Sequence, residues 1–87
     1  MSMTKYHTID LAIVMLERKV KVGPQILEVR RITWLAKPNE YNKLEYESMK
    51  KTVIKLNEEL QILKTMKLIG IKVVKDEDIY GLRGYMY

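Results

Sequence analysis

The sequence predicts an α+β fold of three helices followed by a C-terminal β-hairpin, and three observations carry that expectation. An amphipathic helical pattern occupies residues 48–68. Gly70 then interrupts it, and Ile71, Lys72, Val73 and Val74 alternate as a half-covered strand requires. A second strand-like run, residues 79–87, follows the acidic turn Asp76-Glu77-Asp78.

The elements follow in order along one 87-residue domain, with residues 1–7 as a loose lead-in. Thr8 suits a helix N-cap, and Asp10 in the first turn faces the positive end of the helix dipole. Ile9, Ala12, Ile13 and Leu16 repeat at helical spacing while Leu11, Val14 and Met15 fill the other sides, so this helix reads as buried all round. It should fray at residues 17–19. Val20-Lys21-Val22 alternates like a short strand before Gly23-Pro24, and Pro24 fits the first position of a second helix, where a missing N–H costs nothing. Ile26, Val29, Ile32 and Ala36 give that helix an inner face, and Lys37-Pro38-Asn39 ends it.

The helical pattern resumes at Glu40 or Asn42. Tyr46, Met49, Val53, Leu56, Leu60 and Leu63 then recur at steps of three and four. That stripe has heptad character and would also zip two copies together, but a domain this small needs it as core. In the last strand, Gly81 and Gly84 mark bends.

Composition narrows the class. The 47% hydrophobic and 31% charged fractions describe a folded globular chain. No cysteine is present, so there is neither a disulfide framework nor thiolate chemistry, as befits a reducing cytoplasm. The longest apolar run, residues 11–16, is too short to cross a membrane. A net charge of +5 raises the local concentration of polyanions, nucleic acid foremost. Abundant Ile, Lys, Glu and Tyr with no Phe gives a thermophile-like composition, compatible with an archaeal or viral source.

The order of elements resembles the winged helix-turn-helix superfamily. The residues that carry the likeness are the buried run from Ile9 to Leu16, the Gly23-Pro24 helix start, and the pattern Val53-Ile54-Lys55-Leu56, Leu60, Leu63, Met66-Lys67-Leu68-Ile69. The resemblance implies that the third helix enters a DNA major groove while the hairpin wing touches the backbone. It further implies a small DNA-binding protein, a transcriptional regulator or chromatin-associated factor. Such a protein would act as a homodimer on double-stranded DNA in the cytoplasm or on the nucleoid. On that basis the DNA-contacting residues are Arg30, Arg31, Asn42, Lys43, Ser48, Lys50, Lys51, Thr52, Lys55, Lys72 and Arg83. Lysine neutralises phosphate as a point charge, so salt-sensitive binding is expected more than sharp base readout.

Other chemistry finds little support. One histidine, His7, and no cysteine make a poor zinc site; neither serine lies in a nucleophile elbow; and no glycine-rich phosphate loop is present. Neither an enzyme nor a metal or cofactor site is therefore expected. Glu58 and Glu59 diverge by about 100° on a helix and read as solvated surface. Against the DNA reading stand the acids at Asp76-Glu77-Asp78 and at Glu45 and Glu47, which favour the alternative: a winged-helix interaction module docking on a larger replication, transcription or viral assembly.

Overall fold

The computed structural model describes residues 5–83 and corrects the predicted fold: among the described residues there are two long helices, not three, and no C-terminal hairpin wing. Helix α1 (Ile9–Ala36) and helix α2 (Glu40–Leu68) run antiparallel as a helical hairpin. Strand β1 (Tyr6–Thr8) pairs with β2 (Val73–Lys75) across the end opposite the connecting loop. Two single 3-10 turns, Asp76–Asp78 and Tyr80–Leu82, complete the described chain.

Helix α1 passes straight through Gly23-Pro24, so the expected strand at 20–22 and the second helix start do not exist. Proline inside a helix removes the hydrogen bond to the carbonyl four residues back, here Val20, at a cost of about 3 kcal/mol. Packing on both sides offsets that cost. Ala12, Leu16 and Gly23 are buried on one face of α1, and Trp34 stacks on Tyr46 of α2 with ring centroids 5.5 Å apart. The ion pairs Arg30–Glu45 and Asp10–Lys67 fix the register. On that register buried Gly23 lies level with the turn of α2 around Val53.

The helix ends follow their local chemistry. The Thr8 hydroxyl accepts the Leu11 N–H at 3.3 Å, and the Asn39 side chain accepts the Asn42 N–H at 2.8 Å. At the far end of α2, Gly70 has φ +93°; the Ile71 N–H reaches the Met66 carbonyl at 3.0 Å and the Gly70 N–H the Lys67 carbonyl at 3.1 Å. This is a Schellman stop, which needs a residue free of a Cβ at its left-handed position.

Residues 6–7 of the lead-in, expected to be loose, belong to a strand, and residues 1–4 lie outside the described chain. Tyr6, His7 and Thr8 pair with Lys75, Val74 and Val73. The ladder continues on both sides, from the Ile9 N–H to the Lys72 carbonyl and from the Asp76 N–H to the Lys5 carbonyl. The second strand expected at 79–87 is absent over residues 79–83, which turn instead; residues 84–87 lie outside the described chain. Asp76 is no exposed wing tip, since its carboxylate accepts the Lys5 N–H.

The core sits at the sheet end, the basal half. Ile9, Ala12 and Leu16 of α1 meet Leu56, Leu60 and Leu63 of α2, and Val74, Ile79 and Leu82 close over them. Toward the loop, the distal half, Met49 is the only large hydrophobic buried among the described residues. The Cα envelope measures 47 × 32 × 14 Å, a layer one helix thick. Its radius of gyration is 15.0 Å, against about 12 Å for a compact chain of this length. No described helix is long and apolar enough to cross a membrane.

Candidate functional site

The residues proposed from sequence as a DNA-contacting surface are dispersed over the hairpin, and several are engaged within the chain. Arg30 binds Glu45 across the helices, and Arg31 binds Glu28 one turn back. The hydrogen bond from Arg31 holds the Glu28 carboxyl below the usual carboxylate range, and Glu28 in turn raises Arg31. Asn42 donates to the Lys37 carbonyl at 2.8 Å, tying α2 to the connecting loop, and Thr52 donates to the Ser48 carbonyl of its own helix at 3.1 Å. Lys55 lies over the Tyr80 ring, 4.6 Å from its centroid, with the Arg83 guanidinium 5.8 Å from the same ring.

Lys43, Lys50, Lys51 and Lys72 are exposed. At about 100° per residue, Lys43 and Lys50 share one flank of α2 while Lys51 and Lys55 share the other. The expected cationic rod is therefore split between two sides of the molecule. Its most coherent remnant is Lys50, 5.9 Å from the centroid of Tyr46, whose ring also stacks on Trp34.

Sequence reasoning missed the best-defined polar cluster. Glu59, expected on the solvated surface, is buried and accepts the backbone N–H groups of Tyr80 (2.7 Å) and Gly81 (2.8 Å). Lys19 of α1 donates to the carbonyls of Gly81 (2.7 Å) and Arg83 (2.9 Å). Desolvation lowers the Lys19 pKa from its ordinary value, while the charge of Glu59 opposes that shift. The clamp seats residues 79–83 in the groove between the helices. Only the proximity of a carboxylate to Gly81 in the folded chain reveals it; no spacing in the sequence does. Its geometry is structural, since both charged groups are spent on backbone.

The two helices also leave a depression between them in the distal half. It is open, of about 380 Å³, between Ile26, Val29 and Thr33 of α1 and Tyr41 and Asn42 of α2, with the Arg30–Glu45 pair in its lining. Among the described residues no group of three metal-ligating side chains converges.

The apolar surface is more coherent than the charged one. Leu11, Met15, Arg18, Val22, Gln25, Val29, Ile32 and Ala36 follow one another along α1 at alternating steps of four and three residues. Six of these eight are apolar, and they run along a flank of α1 turned by roughly 100° or more from Ala12, with Met15 half-buried against the core and Val29 also bordering the groove toward α2. Leu11 is 50% exposed, Val29 63% and Ile32 54%. At the tip of the hairpin Leu35, Tyr41 and Leu44 are equally open. This outer stripe was not visible in a sequence reading that divided α1 at Gly23-Pro24 and assigned Val29 and Ile32 to a core. No family model matches the chain, and neither a curated protein nor a solved structure matches it.

Proposed function

We propose that this protein is a protein-binding module, a helical hairpin braced at its base and offering apolar side chains on its outer surface and distal tip to another protein. The observation that supports this most is the one-layer shape combined with large hydrophobics left open on it, including Val29, Leu35, Tyr41 and Leu44. Two helices side by side bury only the seam between them, and contiguous exposed apolar surface marks interaction sites. The test compares wild type with a Leu35→Lys, Leu44→Lys variant for stoichiometric protein complexes from nuclease-treated extract. A complex lost in the variant supports the reading. Tight retention of duplex DNA at moderate salt, with no protein complex, overturns it.

A second reading keeps double-stranded DNA as the partner, in the cytoplasm or on the nucleoid. It draws on the net charge of +5 and on Arg31 and Lys50 beside the Trp34–Tyr46 stack. Electrostatic binding of this kind weakens steeply with salt. Titration with duplex DNA at two ionic strengths tests it, and no binding at low salt removes it.

A further inference from the structure

We infer that the outer stripe of α1 is covered by α1 of a second copy of this chain, packed antiparallel about a two-fold axis close to residues 23 and 24. The inference rests on the protein-binding reading and names the partner for one of its surfaces.

The stripe has the form of a coiled-coil seam. From Leu11 to Ala36 it extends about 37 Å at 1.5 Å per residue, through seven turns. Met15, Val22, Val29 and Ala36 occupy one set of seam positions, and Leu11, Arg18, Gln25 and Ile32 the other. In the antiparallel arrangement Met15 meets the partner's Ile32, Leu11 the partner's Ala36, and Val22 the partner's Gln25. Arg18, the charged member, lies against the partner's Val29, and its long stem can run along the apolar seam to water.

Charge decides the orientation. Parallel packing would set Arg18 against its own copy, two like charges facing each other inside the seam. Antiparallel packing separates the two Arg18 side chains by about 16 Å along the axis. The flanking positions agree: Lys21 and Glu28 lie on the same side of the seam, and only the antiparallel arrangement brings Lys21 beside the partner's Glu28, twice over, where it would add a second cation to a carboxylate that Arg31 already holds. Shape agrees as well. Among the described residues, 79–83 pack beside the basal half of α1, and the depression between the helices in the distal half is open. Antiparallel packing sets each thick base against the other's slender tip, whereas parallel packing crowds two bases together.

The chain contains no cysteine, so engineered thiols report without background. Sedimentation equilibrium should give twice the 10.3 kDa chain mass. Val22→Lys should return the monomer mass with helical circular dichroism retained, because Val22 is 41% exposed and outside the core. Lys21→Glu should weaken the dimer roughly tenfold, and Lys21→Glu combined with Glu28→Lys should restore it, as expected for two recovered ion pairs. Under mild oxidation, Arg18→Cys mixed with Val29→Cys should yield a disulfide-linked heterodimer, while Arg18→Cys alone should not link to itself. A dimer that Val22→Lys leaves intact overturns the seam, and self-linking Arg18→Cys overturns the orientation. A monomeric wild type overturns the second copy altogether. If that monomer still loses a protein complex on Leu35→Lys, Leu44→Lys substitution, the broader reading stands without this one.

Discussion

Glu59 and Lys19 hold one short segment from opposite sides: the carboxylate takes the N–H groups of Tyr80 and Gly81, and the ammonium gives to the carbonyls of Gly81 and Arg83. Removing the carboxylate leaves two N–H donors without an acceptor beneath a covered segment. Glu59→Ala should therefore destabilise the chain by about 3 kcal/mol, and Glu59→Gln, which keeps one acceptor, by about half that. Urea denaturation followed by circular dichroism measures both; equal costs for the two variants would contradict the bidentate geometry.

Lys19 also makes a pH prediction. Desolvation lowers its folded-state pKa below the ordinary 10.5, which the unfolded chain retains. Between those two values the unfolded chain binds more protons, so stability attributable to Lys19 rises with pH through that alkaline window. Below the folded value the contribution is at its least favourable. A pH series of melting midpoints for wild type and Lys19→Met should differ in slope there, wild type rising more or falling less.

Two glycines respond differently to a methyl group. A Cβ on Gly81 would strike the side chains of Leu16 and Leu56, both fully buried. Gly81→Ala should cost about 1–3 kcal/mol through overpacking. Gly70 has open space around it but a left-handed backbone, so Gly70→Ala should cost about 1 kcal/mol by strain alone. Gly70→Asn, which tolerates that conformation, should recover part of the loss; Gly81→Asn should not.

Core and surface leucines should separate cleanly. Leu16 is fully buried and Leu44 is 56% exposed. Leu16→Ala should cost about 3–5 kcal/mol, and Leu44→Ala less than about 0.5 kcal/mol. Comparable losses at the two positions would mean that the distal half carries more of the stability than its burial implies.

How much of this was legible in the sequence depends on the range of the interaction. Thr8, Pro38, Asn39 and Gly70 act within a turn of themselves, and the helix boundaries they imply match the observed ones at the start of α1, at the 37–39 loop and after Leu68. Of the stripe Tyr46, Met49, Val53, Leu56, Leu60 and Leu63, Met49 and the three leucines are buried, as the spacing implies, while Tyr46 and Val53 are half-buried. Gly23-Pro24 misled because punctuation is a local cost, and contacts made by Leu16 and Trp34 with a helix far along the chain outweigh it. The pairing of residues 6–8 with 73–75 and the burial of Glu59 lie beyond any periodicity, since each depends on a partner that only the folded hairpin brings near. Of the eleven residues assigned to a DNA surface, Arg30 and Arg31 were spoken for by acids one turn or one helix away, as Glu28 and Glu45 in the sequence allowed.

The tiny sheet has a bearing on the order in which the molecule assembles. Thr8 and Val73 are neighbours in space but sixty-five positions apart in the chain, and three-residue strands hold too few hydrogen bonds to meet that closure entropy unaided. The two rods must come together first, delivering both strands to the same pole almost for free. The ribbon then behaves as a latch: late to form, early to open, and a gauge of whether the rods beneath it are already in register.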